Sequence, residues 1–478
     1  MMKRVLSTIV LIIFTISSAA EIRLPSIIGN GMVLQRNGAA RLWGWAAPSE
    51  KIEVMTSWNG QKYVTRAQED GAWEVLVETG EAGGPYLIDI CCGEEMLSLS
   101  DVLIGEVWIC SGQSNMEMPV HGFYGQPVEG SADAVFEANE YPDIRMFTIP
   151  PTPSFSQLKN CQGEWKVSSP SNVRDFSAVG YFFGKYLNQV LGIPIGLITP
   201  NVGGIAIESW MTSESIRNTP GINHARSLER RGNFDAACVS TLYNGMISPI
   251  AGFSSRGFVW YQGESNMHNS EDYDKLMASM VRLWRDAWKN EKMPFLFTQL
   301  TPFPYDDPDG VALPLTVEAQ SRALKLIPDS WMAATTDLGS IETVHPPKKK
   351  EVSRRLASLA LGHVYHIDGL LPDAPVVDTV KFIGAEAIVV FSGVPDYAPA
   401  AVGSLDHSVS PIRGFEMAGE DGTFYPAEAK VMENTNQVKV VSVHVQSPVE
   451  LRYAFHNWTD ANLRTTEGQP VSPFRYCR

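Results

Sequence analysis

From Val102 to about His366, short apolar runs alternate with segments of helical period. Nothing else in the chain constrains its fold as much. Val107–Cys110, Ile195–Thr199, Gly257–Tyr261, Phe295–Leu300 and Met332–Thr336 read as strands. Between two of them, Leu276, Met280, Leu283, Trp284 and Trp288 recur at three- and four-residue steps, with Glu271 and Asp272 ahead of them. That pattern predicts a helix between Ser270 and Lys289. Val352, Leu356 and Leu359 place a further helix after His345. Strands alternating with helices build a parallel sheet covered on both faces. Such sheets bind ligands beyond the carboxyl ends of their strands.

The flanks differ. From Ile22 to about Leu103, runs such as Ile52–Met55 and Trp73–Val77 sit between Gly, Asn and Pro turns, with Ala82–Tyr86 expected as a turn before Leu87–Ile90. After His366, Ala387–Phe391, Val438–Val443 and Leu451–Phe455 again read as strands. The expected division is a leader at 1–20, a sandwich-like β-rich domain at 21–101, an α/β domain at 102–370 and a β-rich region at 371–478. The last region stands either as a third domain or packed with the N-terminal one.

Lys3 and Arg4, the apolar Val5–Ile16 and Ser18-Ala19-Ala20 form a secretory signal pattern with a cut before Glu21, too short to span a bilayer. A periplasmic or secreted protein is expected, with no membrane span after cleavage. A net charge of −15 without a basic block argues against nucleic acid as a partner. Oligomeric state is not legible. Six cysteines without a Cys-x-x-Cys pair suggest no metal site and fix no connectivity. No cofactor is expected.

Two stretches fall at strand ends, Cys110-Ser-Gly-Gln-Ser-Asn-Met-Glu-Met-Pro119 and Trp260-Tyr-Gln-Gly-Glu-Ser-Asn-Met-His268. A serine nucleophile needs a tight exposed turn, an imidazole and donors for an oxyanion. Ser114 has the turn but lacks the second glycine of the G-x-S-x-G elbow, since Met116 stands there. Ser265 has the same strength and the same weakness. Gln262 is a candidate oxyanion donor, and Glu264 a loop brace or a substrate contact. Among nine histidines, His345 has the best context, because Pro346 keeps it out of helical conformation between a strand and a helix. His363 and His366 read as helix-end residues, and His444 as part of a strand. Gly203 and Gly204 permit close approach of a backbone N–H to a ligand. Asn115, Glu117, His121 and Trp210 are candidates for contact with a sugar.

Met32–Arg36 (MVLQR), Gly105–Pro119 (GEVWICSGQSNMEMP), Phe176–Leu187, Gly203–Trp210 (GGIAIESW), Val259–Asn266 (VWYQGESN), His345–Ala357 and Arg452–Trp458 occur in this order. Together they resemble the sialate O-acetylesterase family of SGNH hydrolases. The resemblance implies a three-layer α/β/α catalytic domain with flanking β-rich regions. It also implies serine-dependent hydrolysis of O-acetyl esters on sialic acids. Ser114 would be the nucleophile and His345 the base. The Ser114 N–H, Gly203 or Gly204, and Gln262 would hold the oxyanion. Family members usually carry an acid as Asp-x-His or Asp-x-x-His; here Thr343 and Glu342 occupy those positions. Glu342 or Asp337 would then orient His345, or a Ser–His dyad would operate. An acetylxylan or other glycan esterase is the nearest alternative, and a glycan-binding protein with a decayed esterase domain the next.

Overall fold

The computed structural model describes residues 21–229, 234–393, 403–433 and 435–478. The expected leader lies outside them.

One strand, Glu95–Gly112, organises the molecule. Its second half is the centre of a sheet ordered Ser330–Ala333, Phe295–Thr298, Gly257–Tyr261, Glu95–Gly112, Ile195–Pro200, Ile144–Ile149 and Trp165–Val167. All neighbours are parallel except the last pair. Strand side chains alternate between faces, and here the alternation separates two cores. Trp108, Cys110, Val259, Tyr261 and Leu296 pack with the helices Ala178–Leu191 and Lys349–Leu359. Val107, Ile109, Phe258, Trp260, Phe295 and Phe297 pack with the helix Ser270–Trp288. This is the expected three-layer α/β/α domain. The fifth strand runs Ser330–Ala333, not Met332–Thr336, because its four residues pair with the four of Phe295–Thr298 before the chain leaves the sheet.

The helix Ala178–Leu191 begins where Ser177 Oγ accepts from the Gly180 N–H at 3.0 Å, and it ends at Gly192 in the left-handed region. The first half of Glu95–Gly112 pairs antiparallel with Gly83–Cys92 and parallel with Val33–Gln35, so the N-terminal β region and the catalytic sheet share one strand through residue 101. The expected turn at Ala82–Tyr86 is absorbed into that pairing, with a register shift between Gly83 and Tyr86.

The C-terminal region forms two four-stranded antiparallel sheets around a core of its own, including Val389, Phe415, Val438, Leu451 and Tyr453. It docks on the catalytic domain. Asn457 Oδ1 accepts from the Leu313 N–H at 2.9 Å, Ser472 donates to Gln299 Oε1 at 2.6 Å, and Thr336 donates to the Val471 carbonyl at 3.0 Å. None of the six cysteines is in a disulfide.

Candidate active site

The chain order of the strands reverses at Glu95–Gly112, which has Ile195–Pro200 on one side and Gly257–Tyr261 on the other. Loops from both neighbours therefore converge at its carboxyl end. Gly112 makes that convergence tight. Its φ is 150°, and a Cβ there would sit 2.2 Å from the Tyr261 carbonyl oxygen. Gln113 N–H donates to that same carbonyl at 3.0 Å, and Ser114–Glu117 then forms a single helical turn. Ser114 is its first residue, so its N–H has no intrahelical acceptor.

Ser114 Oγ lies 2.8 Å from His345 Nε2. His345 Nδ1 lies 2.6 Å from Gln126 Oε1, which also accepts from Thr343 Oγ1 at 3.0 Å. Thr343 Oγ1 in turn accepts from the His345 N–H at 3.0 Å. With Nδ1–H donating to Gln126, Nε2 is left to accept the serine proton. Gln126 is presented by a short turn: Phe123 and Gln126 exchange backbone hydrogen bonds of 3.1 and 2.9 Å, with Gly125 at φ 71° between them. Phe123 packs edge-on to the imidazole, with ring centroids 5.1 Å apart. Burial, and then the nearby Lys349 charge, push the His345 pKa down to about 4. The ring is therefore neutral at neutral pH.

Neither Glu342 nor Asp337, the acids expected beside His345, contacts its ring. Glu342 is exposed, and its N–H bonds to Ser340. Asp337 is held bidentate by Arg355 at 2.7 and 2.8 Å. An uncharged amide occupies the position, brought from 219 residues away in sequence. Sequence reading missed Gln126. The only signal for it was the Thr at the Asp-x-His position.

The expected oxyanion donors are only partly free. Gln262 is wholly buried. Its amide nitrogen donates to the Ile205 carbonyl at 3.1 Å and to Asn266 Oδ1 at 2.8 Å, while its Oε1 accepts from Tyr273. Both partners of its amide nitrogen lie within the neighbouring loops, so it braces them. The Gly203 N–H donates to Glu117 Oε2 at 2.7 Å. Burial raises the Glu117 pKa, against the pull of that N–H. Gly204 is exposed at φ 71°.

Three expected sugar contacts are placed elsewhere. Trp210 is wholly buried, with its ring edge-on to Trp260 at 6.0 Å, because the 207–210 turn packs under the sheet. Asn115 is buried within the Ser114–Glu117 turn, where its Nδ2 donates to Glu264 Oε1 at 2.6 Å. Glu264 is thereby turned inward, with Oε2 buried. Ser265 presents its backbone N–H to Gln113 Oε1 at 3.4 Å. His121 is exposed, with Nδ1 2.9 Å from the Arg174 carbonyl. Arg256 binds Glu106 at the far end of the sheet, and Arg226 binds Asp272. His363 stacks on Trp331. His444 sits in a turn past Gln437–Val441, not within a strand, against Tyr425.

A model of the carbohydrate esterases described as sialic acid-specific acetylesterase matches residues 104–360, over half of the chain. The chain belongs to this family. Sialate O-acetylesterase of Homo sapiens is 26% identical, over 92% of this chain and 89% of the human protein, and that of Mus musculus is 27% identical over 80% and 82%. The crystal structure of a carbohydrate acetylesterase from Xanthomonas citri superposes with a TM-score of 0.85 at 33% identity, covering 95% of this chain and 99% of that one. This member of the sialic acid-specific acetylesterase family is a carboxylic ester hydrolase. Its 104–360 match spans the Ser114 turn, the Gly203–Trp210 and Gln262–Asn269 loops and His345.

Proposed function

We propose that the protein is an exported O-acetylesterase that removes acetyl groups from sialic acids, with Ser114 as nucleophile and His345 as general base. The observation that carries this reading is the 2.8 Å contact between Ser114 Oγ and His345 Nε2, on a chain similar along most of its length to sialate O-acetylesterases. Nε2 takes the hydroxyl proton as Oγ attacks the acetyl carbonyl. The first-turn N–H of Ser114 donates to the oxyanion, and the exposed Gly204, next to the Gly203 that lies against Ser114, is the candidate second donor. Collapse expels the sugar hydroxyl, which leaves with the proton from His345. A water that gives its proton to Nε2 then cleaves the acetyl-enzyme and releases acetate. Export rests on the leader pattern at residues 1–20.

A second substrate, acetylated xylan or another glycan, is supported by one comparison. The similarity to the carbohydrate acetylesterase from Xanthomonas citri is higher, at 33%, than that to the sialate enzymes. Arg226 and Arg256 are committed to internal carboxylates, and Arg174, beside His121, is paired with Asp175 at 3.2 Å. The deciding experiment is acetate release from 9-O-acetylated sialic acid and from acetylated xylan, with Ser114→Ala as blank. The variant is expected to fold and to lose hydrolysis. Wild-type rates in it would overturn the nucleophile, and release from xylan alone would move the substrate.

A further inference from the structure

Behind Ser114 and His345 lies a buried chain of polar groups that the proton transfer itself does not use. Lys349, the first residue of the helix Lys349–Leu359, has no exposed surface. Its ammonium donates to Asn115 Oδ1 at 2.5 Å and lies 5.5 Å from the centre of the Tyr261 ring. Asn115 Nδ2 donates in the other direction, to Glu264 Oε1 at 2.6 Å and to the backbone carbonyl of Val344 at 3.2 Å. Thus all of the Asn115 amide is engaged. One side chain, next to Ser114, ties together the loop after the strand Gly257–Tyr261, the helix Lys349–Leu359 and the backbone one residue before His345.

We infer that Asn115, held between the Lys349 ammonium and the Glu264 carboxyl group, is the positioning residue that docks the His345 loop on the Ser114 turn. The inference deepens the esterase reading and rests on it. Burying a lysine and a glutamate is costly unless they are paired and hydrogen-bonded. The Asn115 amide accepts from one and donates to Oε1 of the other, which fixes how it is turned; Glu264 Oε2 is buried without a partner, and burial raises the Glu264 pKa. A fixed Asn115 fixes the Val344 carbonyl, and with it the distance from Nε2 to Oγ. The groups facing Lys349 are Asn115 and Tyr261, with Glu264 and His345 acting on it or through it; Glu117, on the same turn as Asn115, is directed to Gly203. Burial pushes Lys349 down to about 7 against the pull of Glu264, so the charge is present through the acid range.

The test is kinetics on 4-nitrophenyl acetate with Asn115→Ala and Lys349→Gln, beside Ser114→Ala, with thermal unfolding of each. Asn115→Ala frees the base loop and is expected to lower kcat about 10²-fold, with KM little changed. Lys349→Gln keeps a donor for Asn115 but removes the charge. Its kcat should fall less than that of Asn115→Ala, while the acid limb of the pH profile moves to higher pH. A merely structural role would lower the melting temperature and leave that limb in place. Unchanged kcat in Asn115→Ala, or an unmoved limb in Lys349→Gln, overturns the inference. Activity persisting in Ser114→Ala would instead remove the esterase reading on which it stands. Where Lys349→Gln yields no folded protein, Asn115→Ala alone decides.

Discussion

In the proposed mechanism, the imidazolium that forms when His345 takes the Ser114 proton meets the Gln126 amide and not a carboxylate. The amide fixes the tautomer, as a triad acid does, but it adds no charge to stabilise the cation. Replacing Gln126 by Glu separates the two roles. A carboxylate at that position raises the imidazole pKa by about 1–3 units. The acid limb of kcat/KM, expected near pH 4 from the lowered His345 pKa, should move up correspondingly, and kcat at pH 7 should rise. The sign follows from the base having to be neutral: the native enzyme holds its activity as pH falls through 6 and loses it only as His345 protonates near 4. Gln126→Ala loses orientation as well and should cost on the order of 10²-fold or more in kcat. An identical pH profile in Gln126→Glu would show that the amide does not govern the ring. At this scale the Ser114–His345 contact was reachable only through the family resemblance, because the residues alone left Ser114 and Ser265 level. Gln126 was not legible, because nothing in a turn reading Phe-Tyr-Gly-Gln declares which imidazole it will meet. Gln262 misled for the complementary reason. Its motif position is that of a donor, but its direction is set by Ile205, Asn266 and Tyr273.

At the scale of elements, the site depends on how closely two strands approach. Gly112 closes on the Tyr261 carbonyl, and Val202 N–H donates to the Gly112 carbonyl at 3.2 Å, so both neighbouring loops are referenced to one residue. Its φ of 150° is one that residues with a side chain rarely adopt. Gly112→Ala must move the Tyr261 carbonyl or abandon that conformation. A loss of at least about 2 kcal/mol is expected, together with a fall in kcat greater than the folded fraction explains, because Ser114 follows two residues on. Denaturant unfolding beside the rate per folded molecule measures both, and wild-type values for the pair would refute the close-approach argument. Period made most elements readable: the helix found at Ser270–Trp288 lies where its apolar steps placed it. Strand ends were less readable, since a partner's length sets them. Ser330–Ala333 stops where Phe295–Thr298 stops.

For the whole molecule, alternation in the flanking regions says that a face is buried, not what covers it, so the sequence left the C-terminal region between two placements. The contacts of Asn457, Val471 and Ser472 put it against the catalytic domain. The N-terminal region is joined differently, through the shared strand and a buried carboxylate on it. Glu106 has no exposed surface and accepts from Gln35 at 3.0 Å, Arg36 at 2.6 Å, Arg256 at 2.7 and 2.9 Å and Tyr365 at 3.0 Å. Burial pushes its pKa up, but Arg256, Gln35 and Arg36 outweigh this and hold it below the usual carboxylate range. A carboxyl depressed in the folded state adds stability above its unfolded pKa and loses it as pH falls through the folded one. Glu106→Gln leaves Arg36 and Arg256 facing each other without a counter-ion. Breaking such a pair costs about 3–5 kcal/mol. The melting temperature should therefore fall and lose part of its dependence on acid pH. Ser114 lies eight residues further along the same strand and turn, roughly 26 Å away at strand rise, so kcat well below the melting temperature should be unchanged. A fall in kcat with stability intact would mean that the charge at this end of the sheet is felt at the other, and that the joint serves the chemistry and not only the assembly of the two regions.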